Sequence, residues 1–405
     1  MQSRRTNLCW PFFFLSVIFS AYNLKAQDTT RKVKAEWFGY MGGEFRYYPQ
    51  TPLYEGQKNS YFSAVFKPQF SLRSTNGRHQ LNFVGFARLD QYDNKRTHAE
   101  IRDLYWHFNS GKWELNAGVK TISWGKTESN HLVDIINQYD LLEGRNLEYK
   151  LGQPLIHTAY TTQKGTLELY LTTISRELRL PGEKGRLRPG FNIDYRNTEF
   201  DRKNGKYIPD AALRFSKSIK SFDLAVAHFY GTGRLPFFKK SDADVFIPRY
   251  EEINQTGIEL QWLKGPFAVK AEAIHQSSSR QNIEAATLGI EYNTFYKSGP
   301  ELKWLLEYTY DKRGREQISG MNNDIFGAIN LNLNDKQGTN LMLASTVDLK
   351  YGTTILYLKA EKRFGESWKL HLISNYILNS HTEDFYYLIR KDSFLEIDLL
   401  YFFQK

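Results

Sequence analysis

Cysteine and methionine are scarce in this 405-residue sequence, which has one Cys and four Met. The single cysteine, Cys9, excludes an intramolecular disulfide, a cysteine pair and a thiolate metal cluster. Beyond the N-terminus no stretch holds about 20 apolar residues, so we expect no membrane-spanning helix. Only 41% of the residues are hydrophobic and the mean hydropathy is −0.54, yet aromatic residues reach 15%. This combination indicates a large all-β protein.

The N-terminal residues have the pattern of a secretory signal peptide. Arg4 and Arg5 precede an apolar stretch over 8–22, and a short cleavage-site pattern follows it. We therefore expect residues 1–26 to be removed and residues 27–405 to form a single domain. Removal takes away the cysteine and three cationic residues, which lowers the formal net charge from +10 to +7.

The remaining sequence repeats one unit, in which about ten residues of alternating polarity end in a turn. Trp113–Lys120 and Leu302–Tyr308 each place apolar residues on one face and charged or polar residues on the other. The connections alternate between short Gly-, Asn-, Ser- and Pro-rich turns and long polar loops. The long loops cover roughly 124–153, 174–209, 231–250, 312–323 and 379–393.

Short turns at one end and long loops at the other are typical of an outer-membrane barrel. We predict an all-β, transmembrane, antiparallel up-and-down barrel of about 18 strands, within a range of 16 to 18. Such a barrel needs an apolar outer face only, because its inner wall is wet. The many aromatic residues would then form the girdles at the two lipid interfaces, and the low hydropathy would come from the lumen.

Charged residues of both signs occupy the predicted inward positions. The basic candidates for the pore are Lys120, Arg214, Lys270, Lys303, Lys359 and Arg363. They are opposed by Glu168, Glu259, Glu272, Glu307 and Glu361. Opposite charges on neighbouring strands predict ion-pair ladders along the wall, with a mild positive excess that favours anions weakly.

The first long loop carries the candidates for a constriction. These are Trp124, Lys126, His131, Asp134, Asn137 and Asp140. Apolar residues spaced i, i+3, i+4 and i+7 from Leu132 to Tyr139 predict an amphipathic helix, with Ser129 or Asn130 as its N-cap. Two interpretations remain open: the loop folds against the barrel wall and narrows the pore, or it packs as an extracellular cap.

The loop over 174–209 contains nine Lys or Arg against five Asp or Glu. Its candidate basic residues are Arg176, Arg179, Arg186, Arg188 and Arg196. If they are exposed, they could steer anions to the mouth or bind lipopolysaccharide phosphates. The alternative is a solvated loop without a specific partner.

No sequence signature of catalysis is present. The sequence has no His-Glu-x-x-His, no Gly-x-Ser-x-Gly and no phosphate-binding glycine loop. We therefore predict that the protein is not an enzyme, with no cofactor, no metal and no catalytic residue. An exported chain with inward charges of mixed sign is not expected to bind nucleic acid.

The segment Trp124-Gly-Lys126, followed by Asp134-Ile-Ile-Asn137-Gln-Tyr-Asp140, resembles a signature of porin-like outer-membrane proteins of unknown function. These proteins are distant neighbours of alginate-export porins. The resemblance covers roughly 110–280 and departs from the family at Gln138, where members usually have Pro. It implies an outer-membrane barrel with a transport role. The N-terminal processing site and the abundance of Tyr, Asn and Lys resemble outer-membrane proteins of Bacteroidota.

These observations favour an outer-membrane channel for passive passage of small polar or anionic solutes. An export or transfer barrel for polysaccharide or hydrophobic molecules is the alternative, and a lipid-modifying enzyme of the outer membrane is a third hypothesis. The expected partners are outer-membrane lipids, lipopolysaccharide and the barrel-assembly machinery. The sequence leaves the substrate and the oligomeric state open.

Overall fold

The computed structural model describes residues 33–144, 148–242, 245–314 and 320–404. The predicted signal peptide lies outside these ranges. Within them, no helix has the length and apolar character needed to cross a membrane. In the described ranges regular structure is almost entirely β, with short 3-10 helices at Tyr195–Asn197, Gly205–Tyr207 and Phe385–Ile389.

Eighteen long strands form one closed antiparallel sheet. They are β1 (Val33–Tyr47), β2 (Ser60–Ser74), β3 (His79–Asp90), β4 (His98–Ser110), β5 (Trp113–Lys120), β6 (Gln153–Thr162), β7 (Gly165–Thr172), β10 (Asp210–Ile219), β11 (Phe222–Thr232), β14 (Glu252–Lys264), β15 (Phe267–Ser278), β16 (Asn282–Phe295), β17 (Glu301–Asp311), β18 (Asn323–Asn332), β19 (Asn340–Asp348), β20 (Thr354–Phe364), β21 (Trp368–Leu378) and β22 (Phe394–Gln404). Closure follows from β1, which pairs with β2 on one side and with β22 on the other. The predicted 18-stranded barrel is confirmed.

Four short strands lie outside the barrel wall, in the long loops. They are β8 (Asn192–Ile193), β9 (Glu199–Phe200), β12 (Phe237–Asp242) and β13 (Val245–Tyr250). Strand β13 pairs with the other three and joins the loop after β7 to the loop after β11. This small sheet stands at the long-loop end of the barrel.

The two ends of the barrel differ as the turn pattern predicts. Two-residue turns connect β6 to β7, β10 to β11 and β14 to β15, whereas the connections at the other end include 121–152 and 173–209. Tight turns require left-handed backbone, and Lys220 and Gly265 supply it with φ values of 54° and 56°. Both ends of the described chain lie at the short-turn end, because the strand number is even.

The outer surface is apolar and the inner surface is polar along the same strands. On β17, for example, Leu306 points outward and is exposed, whereas its neighbour Glu307 points inward and is buried. Ring pairs near the short turns, such as Trp113 with Tyr160 at 4.6 Å, form the predicted aromatic girdle. An exposed apolar outer wall on a closed barrel is the surface that lipid requires.

Candidate functional site

The connection between β5 and β6, described at residues 121–144 and 148–152, folds into the barrel rather than over it; we call it the inserted loop. One cluster of its buried apolar side chains consists of Ile122, Trp124, Leu132, Val133, Ile135 and Ile136. They pack against inward-facing residues of strands β6 to β16, namely Leu155, Tyr170, Ala212, Ala227, Phe229, Ile253, Ile274 and Ala285. A dry apolar contact therefore holds the loop against one half of the inner wall.

The amphipathic helix predicted from Leu132 to Tyr139 is wrong, because this segment consists of turns and irregular backbone. The predicted cap residues have other roles: Ser129 donates to Glu307, and the Asn130 carbonyl accepts from the Thr127 hydroxyl at 2.8 Å. The backbone N–H groups just before this segment, at residues 126–129, and that of Val133 are bonded to wall carboxylates. The apolar residues that produce this spacing pack against barrel residues that surround the loop.

Three glutamates of the inner wall bind the backbone of the inserted loop. The N–H groups of Lys126 and Thr127 donate to Glu272 on β15 at 2.6 and 2.9 Å, and the Thr127 hydroxyl donates to it at 2.7 Å. The N–H groups of residues 128 and 129 donate to Glu307 on β17, each at 2.8 Å. Glu259 on β14 accepts the N–H of residue 125 at 3.3 Å. Buried carboxylates thus replace water as acceptors for this irregular backbone.

The opposite end of the inserted loop is bound by arginines of β3 and β4. Arg88 forms a two-pronged bond to Glu143, with N···O distances of 2.6 to 3.1 Å. Arg102 bonds to Asp140 and to the backbone carbonyl of residue 150. The loop is therefore attached to β3 and β4 at one end and to β14, β15 and β17 at the other, so it reaches across the lumen.

The three polar residues of the Asp-x-x-Asn-x-x-Asp signature hold the inserted loop together. The Asn137 amide accepts the Ile122 N–H at 2.8 Å and donates to the carbonyls of Lys120 and Leu151 at 3.0 and 2.8 Å. Asp134 pairs with Lys150, which closes the loop on itself. All three signature residues are buried, which indicates a structural role in shaping the loop.

Gln138, at the position where the resembled family usually has Pro, is also buried. Its amide donates to the carbonyls of Arg176 and Arg234 at 2.9 and 2.8 Å. The Arg234 guanidinium in turn donates to the Ile136 carbonyl at 3.0 Å and to Asp210 at 2.9 Å. These contacts join the inserted loop to the two loops above it.

The remaining pore candidates occupy different depths. Trp124 is buried under the Tyr170 ring, with the Arg214 guanidinium 5.9 Å from it. Lys126 is half-buried in the inserted loop. The Lys120 ammonium stands 4.6 Å from the Tyr105 ring. Lys303 on β17 and Lys359 and Arg363 on β20 face inward, and in the described part of the chain none of them is hydrogen-bonded to the inserted loop.

The predicted ion-pair ladders are confirmed. Arg214 on β10 bonds to its register partner Glu168 on β7 at 2.6 Å and to Glu259 at 3.0 Å. Lys270 contacts Glu128 of the inserted loop at 2.6 Å and also pairs with Glu291 on β16. These pairs neutralise Arg214 and Lys270, so the wall is not uniformly basic.

The basic residues of the loop over 174–209 are only partly exposed. Arg186 and Arg188 are buried, and Arg186 bonds to Asp392 at 2.6 Å, so neither guanidinium belongs to an exposed basic surface. Arg176 pairs with Glu100 at 2.8 Å and Arg179 with Glu177 at 2.9 Å. Arg196 is exposed. The sequence pattern could not show the pairs of Arg176 and Arg186, because Glu100 and Asp392 lie far away in the chain.

Two groups of side chains have the spacing of a metal site. One is His98 with Asp140 and Glu143, and the other is Glu44 with Glu396 and Asp398. Arginines already contact four of these carboxylates. Arg88 and Arg102 bind Glu143 and Asp140, as described above. Glu44 accepts from Arg96 at 2.6 Å and from Arg88 at 2.7 Å, and Glu396 pairs with Arg46. The arrangement is a buried ion-pair network, in which arginines balance the carboxylates without a metal ion.

Above the inserted loop lies a cavity of about 560 Å³, which we call the vestibule. Leu132 and Ile135 of the inserted loop form part of its lining. Aromatic residues of three other loops complete its walls: Phe191, Phe237, Phe238, Phe246 and Phe385. The polar lining includes His131, Arg234, Arg280, Arg313, Glu251 and Asp134.

Sequence reasoning identified His131 and Asp134 but missed the phenylalanines of the vestibule and the two arginines Arg280 and Arg313. The signal that could have found the rings is the apolar stretch Leu235–Phe238 inside an otherwise polar loop. Two groups of the inserted loop have shifted ionisation. The nearby Glu272 carboxylate raises the pKa of His131, and burial raises the pKa of Asp134.

The chain resembles solved outer-membrane barrels in fold. Pseudomonas aeruginosa OpdK with vanillate has a TM-score of 0.52 at 10% identity, covering 92% of this chain and 99% of that one. Wzi, an outer-membrane protein involved in group 1 capsule assembly in Escherichia coli and a carbohydrate-binding β-barrel, has a TM-score of 0.52 at 11% identity, with 91% and 84% covered. A mutant of the Rh. blastica porin has a TM-score of 0.44 at 10% identity, with 92% and 100% covered.

No protein-family model matches the chain. No curated protein matches it either. The family resemblance of the Trp124 to Asp140 segment therefore stays a prediction. At identities of 10 to 11% the structural likeness shows a shared barrel fold.

Proposed function

We propose that the protein is an outer-membrane channel that lets small polar or anionic solutes pass, with the inserted loop as its constriction. The observation that carries this proposal is the attachment of the loop to opposite sides of the inner wall. A porin-like barrel needs a wide lumen, and at 18 strands side chains alone do not fill it. A loop fixed across that lumen sets the size and the polarity of what can pass.

The inner wall beside the loop supports passage of hydrated solutes. On β20 and β21, Lys359, Glu361 and His371 face inward and are half-buried, so water reaches them. Glu361 bonds to Lys369 at 3.0 Å, which keeps the wall polar without a strong net charge. A polar wall of paired charges is suited to water-filled passage rather than to a dry protein core.

Conductance in planar lipid bilayers tests the proposal. The full-length protein, purified in detergent and folded, should give stepwise ion currents on insertion. A heat-denatured sample of the same preparation is the control. Silent bilayers across a range of voltages and salt concentrations would contradict the channel and would favour a transfer barrel with an occluded lumen.

The second candidate is export or transfer of a polysaccharide or a hydrophobic molecule. The aromatic vestibule favours it, since rings provide apolar and stacking surfaces. It predicts binding of the cargo without conductance.

We also propose that the chain is not an enzyme and that its partners are outer-membrane lipids, lipopolysaccharide and the assembly machinery. The strand β22 supports the assembly machinery as a partner, because its outward-facing residues include the aromatic pair Tyr401 and Phe403.

A further inference from the structure

Two aspartates face each other at the long-loop end of the barrel, on β18 and β19. Asp324 and Asp348 are register partners on these strands, so their side chains stand opposite each other on the inner face. Both are buried. Like charges directly opposite each other on neighbouring strands are destabilising, so this pair calls for a compensating group.

The loop over 379–393 adds a third aspartate to this pair. The His381 ring of the loop stacks on Tyr351, which follows β19, with centroids 5.3 Å apart. Asp384 is fully buried. Burial is the main cause of the raised pKa of Asp384, and the nearby charge of Asp348 raises it further. We call Asp324, Asp348 and Asp384 the aspartate cluster.

The aspartate cluster lacks a balancing cation in the part of the chain that the structure describes. No Lys, Arg or His there forms an ion pair with any of its three carboxylates. The ammonium of the exposed Lys350 stands over the Tyr351 ring, 4.8 Å from its centroid. By contrast, buried carboxylates elsewhere in the lumen, such as Glu44 and Glu143, are bonded to arginines. The cluster is therefore a buried negative charge without compensation.

Three buried oxygens at the cluster have no hydrogen-bond partner. They are Oδ2 of Asp348, Oδ2 of Asp384 and the hydroxyl of Thr353. Thr353 is 2% exposed and lies beside Asp384, without hydrogen-bond geometry to a described group. Backbone N–H groups hold the other carboxylate oxygens: two donate to Oδ1 of Asp348 at 2.7 and 2.6 Å, and one donates to Oδ1 of Asp384 at 3.1 Å. Since buried polar atoms are rarely left unpaired, the three free oxygens indicate a shared ligand.

We propose that Asp348, Asp384 and Thr353 bind a calcium ion, which fastens the loop over 379–393 to the barrel. Asp324 adds a further negative charge beside the ion. The donors are all oxygens, which Ca²⁺ prefers, and its flexible coordination lets carbonyl groups or water complete the shell. Zinc and copper favour imidazole or thiolate ligands instead. The proposal departs from the sequence-based expectation of no metal, and it does not depend on the channel.

The ion would complete the attachment of this loop at both of its ends. The far end is held by the ion pair of Arg186 with Asp392 at 2.6 Å. The near end carries Asp384, whose carboxylate has no cationic partner among the described residues. Phe385, the next residue, lines the vestibule. A cation at the near end therefore also fixes one wall of the vestibule.

Isothermal titration calorimetry with CaCl₂ tests the site in the full-length protein, refolded in an uncharged detergent and stripped of metal by a chelator. Lipopolysaccharide is excluded from the preparation, because its phosphates also bind divalent cations. We expect one site with a Kd of about 0.1–1 mM, as in extracellular calcium modules, and about tenfold weaker binding of Mg²⁺. Absence of calcium binding would overturn the proposal, and equally tight binding of Mg²⁺ would overturn the choice of calcium.

Three variants and one control locate the ion. Asp348→Asn and Asp384→Asn keep the shape of the side chain and should each weaken calcium binding about tenfold, the effect of losing one charged ligand. Thr353→Val removes a neutral ligand and should weaken binding by a smaller factor. Glu55→Gln alters an exposed carboxylate between β1 and β2 and should leave the Kd unchanged. Unchanged affinity in all three site variants, with folded gel mobility, would overturn the site.

Hydrogen–deuterium exchange separates binding of the ion from fastening of the loop. At a calcium concentration ten times the Kd, backbone N–H groups in 379–393 should exchange about tenfold more slowly in the wild type. Asp384→Asn should exchange at the same rate with and without calcium. Peptides from the short turns at the other end of the barrel are the internal control. Calcium binding without slower exchange would overturn the fastening role and leave the ion site standing.

Discussion

Replacing Glu272 by alanine should release one end of the inserted loop from the barrel wall. This glutamate is buried on β15 and accepts from the N–H groups of Lys126 and Thr127 and from the Thr127 hydroxyl, at 2.6 to 2.9 Å. The N–H of Val133 adds a longer contact at 3.3 Å. Alanine leaves these donors without their acceptor.

The expected loss follows from the number and type of these bonds. Hydrogen bonds to a charged group contribute about 1.5–3 kcal/mol each. Water and neighbouring carbonyls can satisfy some of the released donors, so we take a net loss of about 3 kcal/mol for docking of this segment. Since each 1.4 kcal/mol is a factor of ten, the ratio of docked to undocked loop should fall roughly a hundredfold.

Trypsin cleavage after Lys126 in proteoliposomes measures this ratio. When opening is fast relative to cleavage, the cleavage rate follows the open population, so the specific fragment should appear roughly a hundredfold faster in Glu272→Ala. Glu361→Ala is the matched control, because Glu361 is an inward glutamate on β20 that bonds to Lys369. Equal cleavage rates in Glu272→Ala and the wild type would refute the anchoring role.

Three further predictions concern the same loop. Asn137→Ala should lower the midpoint of urea-induced unfolding, with a cost of about 2–4 kcal/mol from three unpaired backbone groups; an unchanged midpoint would contradict this. Lys150→Met should destabilise strongly, because it leaves Asp134 buried without its cation, and adding Asp134→Asn should recover most of the loss in a double-mutant cycle. The pKa of His131 is raised above its usual 6.5 by Glu272, so its stabilising charge is fully present below about pH 6.5 and is lost as pH rises through the folded-state pKa. Cleavage should therefore increase with pH in the wild type, and His131→Gln should remove this dependence; parallel pH profiles would exclude the histidine.

The barrel was predictable from the sequence because its signals are local. Period-two alternation on strands such as β5 and β17 and the two-residue turns at one end depend only on neighbours in the chain. The ion pair of Arg214 with Glu168 was also predictable from the sequence, since an inward cation in a membrane barrel needs a partner on a nearby strand.

The conformation of the inserted loop was not predictable in the same way. The apolar spacing from Leu132 to Tyr139 favours a helix in isolation, but Glu272 and Glu307 bind the preceding backbone N–H groups and come from strands more than a hundred residues away. Tertiary contacts override local propensity here. The vestibule was missed for a similar reason, because its rings meet only when three loops fold over one another.

Conductance of a variant that lacks residues 127–142 tests the central claim most directly. If the inserted loop constricts the channel, planar bilayers should show a clearly larger single-channel conductance for the deletion than for the wild type, with the barrel still folded by gel mobility. An unchanged conductance in a folded deletion variant would contradict the assignment of this loop as the constriction.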